Sequence, residues 1–297
     1  PLFLVGVFTH IFGFGLNELE DVAVDTASDD LEGKPLVSGA VSPRLARIYI
    51  STALASAYIM LAVALPGHLP SLWLLLSIAV GAVIVYDHYG KSLPFADFVL
   101  SLCQLSLVFM GAIAVGGDPL SLPVLTIAAY AYVMGVVQNI IAGLKDADHD
   151  AEAGARTTAL RLGTRVRPVR GDGGAPVMVC GAATVVLVVV LKTAQAAIAL
   201  WPALSGAFTY PVAAMALLGL VVLLQFVLIY RVLQVQEFDR DGIKRRIGLH
   251  EMATFVSAPV VFLPLLGLWP ALFLMTFPVA WLGLFLLIQY GELMPDI

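Results

Sequence analysis

The chain has 297 residues, of which 60% are hydrophobic and only 12% charged, and its formal net charge is −5. A soluble domain carries about a quarter charged residues, so the composition excludes a soluble globular fold, and no nucleic-acid partner is expected. Cys103 and Cys180 both fall inside apolar runs, where they read as small apolar side chains. They form neither a disulfide framework nor a metal knuckle.

In chain order, apolar segments run over about 1–16, 45–65, 70–88, 97–116, 120–142, 175–200, 208–234, 249–267 and 270–290. Only helices and closed barrels satisfy the backbone inside lipid, and segments of this length without period-two alternation are helices. The spacing therefore predicts an all-α, polytopic transmembrane bundle of about nine helices. It is read as one domain over 1–297, built around a central cavity that opens at the cytoplasmic side. The first segment starts at Pro1 and leaves 16 residues before Asn17, whereas about 20 are needed to cross a bilayer. A further stretch is expected upstream.

The connections alternate in character. PGHLP, GGDPLSLP, WPALSG and LGLWP are short Pro/Gly turns almost without charge. Of the 16 Lys and Arg residues, all but Lys192 lie in or beside the other four connections. An excess of Lys and Arg marks the cytoplasmic side, so all four long loops are expected there.

The carboxylates gather on the same side. The first loop opens NELEDVAVD, in which Asn17, Asp21 and Asp25 recur at i, i+4 and i+8, along one face if the helix continues past the bilayer. The loop after the fifth segment reads LKDADHDAEAGARTTALRLG, with Asp146 and Asp150 again one turn apart. Like charges at this spacing repel and need a neutralising partner. Two such clusters, each ending a helix, could face each other across one cavity. Carboxylate oxygens suit Mg²⁺, which shares its remaining positions with substrate phosphates. Lys34, Lys145 and Arg156 stand close by in sequence, Lys91 lies in the intervening loop YDHYGK, and together they could clamp a phosphate group. Asp29, Asp30, Glu32 and the arginines at 161, 165, 167 and 170 are read as hydrated loop. His149 has no second histidine at helical spacing to make a transition-metal pair.

These residues carry a resemblance. Asn-x-x-x-Asp-x-x-x-Asp, followed nine residues on by Lys34 and PLVSGAVS, resembles the first signature of the UbiA superfamily of intramembrane prenyltransferases. DADHDAEAGARTTALRLG resembles its second signature. The motif spacing is most similar to the 4-hydroxybenzoate polyprenyltransferase branch. The resemblance implies that Asn17, Asp21, Asp25, Asp146 and Asp150 hold Mg²⁺ and act in catalysis on a polyprenyl diphosphate such as geranylgeranyl diphosphate. Lys34, Tyr86, Lys91, Lys145 and Arg156 would bind the diphosphate; the stretch YDHYGK resembles the family's tyrosine–lysine loop. The implied reaction ionises an allylic diphosphate to a carbocation, which a hydrophobic or aromatic acceptor captures with loss of a proton.

The chain departs from the family pattern in several places. Glu18 stands where Asp is usual, and Lys34 replaces Arg. The family's first helix would precede Pro1, and at the C-terminal end either 249–290 is divided differently or the chain carries an added segment. His10 occupies the position at which aromatic-carboxylate members carry Arg, which assigns it to the acceptor side. A neutral imidazole is a poor carboxylate partner at pH 7, and a lone histidine in an apolar helix also reads as structural. Two other functions fit a polytopic acidic chain, a secondary transporter and an inactive homologue. Transporters place ionisable groups near the bilayer midplane, whereas these charges collect at helix ends. The intact Asp pairs argue against lost activity.

Overall fold

The computed structural model describes residues 1–26, 32–167, 176–235 and 237–290. The architecture is all-α apart from one small hairpin. In chain order it comprises α1 (Leu2–Asp25), α2 (Pro43–Ala64), α3 (Leu69–Tyr89), α4 (Ala96–Leu100), α5 (Leu102–Ala114), α6 (Leu122–Ala142), α7 (Ala147–Glu152) and α8 (Thr158–Arg161). The strands β1 (Arg165–Arg167) and β2 (Val177–Val179) follow, then α9 (Ala182–Leu204), α10 (Val212–Leu233), α11 (Arg240–Val261), α12 (Leu263–Leu266) and α13 (Leu268–Tyr290). Among the described residues, seven helices are long and apolar enough to cross a membrane. The protein is an integral, multi-pass membrane protein.

The chain divides into two compact units, Pro1–Gly135 with Ala153–Thr157, and Val136–Glu152 with Thr158–Ile297. In the first unit, α1 lies along α2 and also touches α3, and α3 packs on α4 and α5. Its core joins Val5, Phe12, Ile50, Ala57, Leu61, Leu72, Leu76, Val80 and Met110. Lipid tails are as apolar as these side chains, so close van der Waals packing rather than the hydrophobic effect holds such helices together. Small residues permit that approach. Ala57 is fully buried, and a Cβ on Gly15 would stand 2.3 Å from Ile50 Cγ2.

In the second unit, α11 packs on α10, α13 and α9, and β1 pairs antiparallel with β2 in the register Arg165 to Val179. Two elements differ from the sequence expectation. The segment expected from 175 opens with β2, and its helix begins only at Ala182, because the β-branched Val177 and Val179 favour a strand and pair with Arg167 and Arg165. Gly181 makes that turn possible, since a Cβ there would lie 2.1 Å from the Leu162 carbonyl oxygen. The segment expected at 249 starts nine residues earlier, at Arg240. Asp239 caps it by accepting from Gly242 N at 3.1 Å, so its charged first turns are helical although they are not apolar. The stretch 249–290 is thus divided among α11, α12 and α13, with Gly267 at φ 72° between the last two.

Gly15→Ala should destabilise the first unit by about 1–2 kcal/mol, the overpacking cost less the gain in helix propensity. Gly6→Ala, which meets nothing within 4 Å, should be neutral or stabilising. Thermal unfolding of the two variants in detergent measures the difference.

Candidate active site

Helix α1 runs unbroken from its apolar face through Asp25, which sets Asn17, Asp21 and Asp25 one above another on one side. Each meets a different partner within the first unit. Asn17 Nδ2 donates to Asp87 Oδ1 at 3.5 Å. Lys91 Nζ pairs with Asp21 at 2.7 Å. Lys34 Nζ pairs with Asp25 at 2.8 Å and with Glu18 at 3.0 Å. Glu20 meets His88 at 3.2 Å.

The local backbone explains why these partners arrive. Helix α3 closes tightly: Gly90 N donates to the Tyr86 carbonyl at 2.6 Å, and a Cβ on Gly90 would stand 2.3 Å from that oxygen. Only glycine fits there, and Lys91 follows directly. The Lys91 carbonyl accepts from Arg156 N at 2.6 Å, so the Ala153–Thr157 segment is fastened beside it. Within the first unit Lys91 thereby links Asp21 to the Arg156 backbone, while Lys34 holds Asp25 and Asp87 holds Asn17.

Exposure sorts these pairs by strength. Lys91 and Asp21 have side chains 41% and 20% exposed, and pairs this wet contribute about 0–1 kcal/mol. Asp25 is buried, with its side chain only 10% exposed, so losing Lys34 would leave a carboxylate poorly hydrated and unpaired. Burial alone pulls the Lys34 ammonium down, but hydrogen bonds and charge from Asp25 and Glu18 outweigh it and leave its pKa raised.

Asp87 was not among the expected site residues. Its Oδ1 holds the Asn17 amide, and its Oδ2 is buried without a partner among the described residues. The signal was present in YDHYGK, where an acid lies between the tyrosine and the lysine, but its burial against Asn17 is a tertiary fact. His10 lies on an exposed stretch of α1 with its ring 4.2 Å from that of Phe14.

The second unit holds the other carboxylates. Asp150 N donates to the Asp146 carbonyl at 2.9 Å, which sets the two residues one helical turn apart. Asp150 is buried, and Asp146 pairs with Lys145 at 2.5 Å. Asp148 faces elsewhere: Arg240 Nη2 reaches its oxygens at 3.0 and 3.3 Å, and Arg240 Nε donates to the Lys145 carbonyl at 3.1 Å. One arginine on α11 thus fastens the short α7 segment, a role that charge counting along the loops did not distinguish. Asp29, Asp30 and Arg170 lie outside the described residues.

The donor set consists of carboxylate and amide oxygens, the chemistry of a hard divalent cation, and the orphaned Asp87 Oδ2 is an oxygen of that kind. Among the described residues no three His, Cys, Asp or Glu side chains converge as metal ligands; lysines neutralise the carboxylates instead. The residues fit a Mg²⁺ site in type.

Arg240→Ala should lower stability by about 1.5–3 kcal/mol, the range for hydrogen bonds to charged groups. Arg240→Lys should recover only part, because the fork geometry is lost. Thermal unfolding in detergent reads both effects.

The model of the UbiA prenyltransferase family matches residues 1–241. Curated protein sequences contain no match. Among solved structures, the chain is similar to the apo form of a UbiA homolog from Aeropyrum pernix K1, with 19% identity, a TM-score of 0.64, and coverage of 88% of this chain and 87% of that one. A UbiA homolog from Archaeoglobus fulgidus bound to GPP and Mg²⁺ aligns at 18% identity and a TM-score of 0.61, covering 86% of each chain. A structure of digeranylgeranylglyceryl phosphate synthase aligns at 14% identity and a TM-score of 0.61, covering 90% of this chain and 85% of that one. At these identities the likeness shows the fold, and the family match over most of the chain shows the membership. The chain belongs to the UbiA prenyltransferase family.

Proposed function

We propose that this intramembrane prenyltransferase moves a polyprenyl group from an allylic diphosphate to a hydrophobic or aromatic acceptor, with Mg²⁺ as cofactor, and that 1–297 works as one catalytic domain. The observation that carries the reading is the end of α1: a ladder of an amide and two carboxylates whose partners are Asp87, Lys91 and Lys34. Anionic and cationic side chains kept this close suit a substrate that brings both a metal ion and a polyanion. The similar Archaeoglobus protein was captured with a prenyl diphosphate and Mg²⁺, which supports the same ligand pair here.

In this reading Asn17, Asp21, Asp25, Asp146 and Asp150 hold the metal, and the four aspartates serve catalysis through it. Asp87 orients Asn17: by taking the amide N–H it leaves the side-chain oxygen of Asn17 as the free ligand. Lys34, Tyr86, Lys91, Lys145 and Arg156 bind the diphosphate. The lysines sit on flexible stems, so they can leave the carboxylates for phosphate oxygens when donor and metal arrive together. Their ammonium groups then face the negative charge that develops on the departing diphosphate. Bound Mg²⁺ supplies Lewis-acid polarisation of the diphosphate oxygens. The apolar spans shield the allylic cation from water.

His10 is assigned to the acceptor side. The acceptor is aromatic if the branch resemblance holds, or a glycerol phosphate by analogy with the similar synthase. The excess of Lys and Arg in the long loops supports a cytoplasmic position for this chemistry.

Purified protein should bind geranylgeranyl diphosphate only with Mg²⁺, and Asp21→Asn should abolish that binding while unfolding at nearly the wild-type temperature. Metal-independent binding, or full binding by the variant, would overturn the reading. Asp87→Leu should weaken Mn²⁺ binding in the presence of donor by about tenfold, as loss of an orienting partner does. Electron paramagnetic resonance of free Mn²⁺ measures this without relying on turnover; unchanged affinity would remove Asp87 from the site.

A further inference from the structure

Lys192 lies near the middle of α9, eleven residues into an apolar span that ends at Leu204. It is 1% exposed. An ionisable side chain at such a depth is costly and needs compensation. Its ammonium donates to Gln195 Oε1 at 2.8 Å, to Gln225 Oε1 on α10 at 2.5 Å, and to Thr254 Oγ1 on α11 at 3.4 Å. All three partners are neutral. No carboxylate pairs with Lys192 among the described residues, so the geometry satisfies its hydrogen bonds and leaves its charge uncompensated.

The same cluster has donors to spare. Gln195 Nε2 and both ring nitrogens of His250 are buried without a hydrogen-bond partner among the described residues. His250 is completely buried, and Gln195 is 1% exposed. His250 stands one turn before Thr254, whose hydroxyl donates to the His250 carbonyl at 2.8 Å and accepts from Lys192 at 3.4 Å. An unmatched amide NH₂ and an imidazole N–H beside an unmatched cation call for an acceptor that is itself negative. One positive charge and tightly packed helices limit it to a small monovalent anion.

We propose that Lys192, Gln195 and His250 form an intramembrane binding site for a small monovalent anion, either a halide or the carboxylate of a small organic acid. The anion neutralises Lys192, accepts from Gln195 and His250, and locks α9, α10 and α11 together. The site is separate from the donor residues at the helix ends and does not depend on how those act.

The test is thermal unfolding of the whole purified protein, exchanged into gluconate and titrated at constant ionic strength with chloride, bromide or acetate. Binding to the folded state should raise Tm saturably, by about 3 °C or more. A halide response identifies an inorganic anion, and a response to acetate alone identifies a carboxylate. Lys192→Met should abolish the response. If that variant does not fold, Gln195→Leu and His250→Phe each keep the cation but remove a donor, and each should shift the midpoint severalfold to higher anion concentration. A Tm equal in gluconate, chloride, bromide and acetate would overturn the proposal, as would an undiminished response in the folded variants.

Discussion

The end of α1 in the first unit depends on one constraint: carboxylates set at the edge of hydrocarbon need a compensating partner. Helix α1 delivers Asp21 and Asp25 on one face, and Asp25, which is buried, is poorly compensated by water alone. The chain answers with lysines from two other segments, Lys34 at 2.8 Å from Asp25 and Lys91 at 2.7 Å from Asp21. The backbone supports one of these pairings: α3 closes tightly over Gly90, which delivers Lys91, and the Arg156 backbone is tied to the Lys91 carbonyl.

Ammonium is a better choice here than guanidinium. A planar fork holds a carboxylate through two bonds and gives it up reluctantly, whereas a compact ammonium on a four-carbon stem changes partner at little cost. The contrast is visible within the protein. Lys34, Lys91 and Lys145 meet Asp25, Asp21 and Asp146, while Arg240 is used to hold Asp148 and the Lys145 carbonyl in place. Single ammonium contacts hold the carboxylates of α1 and Asp146, and the guanidinium sits where a short helix must stay.

The site was legible in part. Duplicated four-residue spacing exposed Asn17, Asp21, Asp25, Asp146 and Asp150, because a helix that carries charge beyond its apolar face writes its period into the sequence. Asp87 escaped because an acid one residue from a tyrosine at a helix end reads as ordinary loop polarity; only its contact with Asn17 distinguishes it. Lys192 was visible as the one basic residue off the pattern. Its full burial against Gln225 and Thr254 was not, since those partners lie 33 and 62 residues away in the chain.

Composition and spacing by themselves determined that the chain spans a membrane, that its spans are helices, where most of them begin and end, and which ladders of acids end two of them. These are local properties: length against bilayer thickness, and side-chain period against the helical turn. Tertiary structure alone decided that β2 precedes α9, that α11 starts among charges at Arg240, and which lysine neutralises which carboxylate. It also decided that Lys192 faces amides and an unpartnered imidazole rather than lipid. Such outcomes depend on which distant segments meet, and with apolar surface on every side no hydrophobic period in the sequence says which face of a span turns inward.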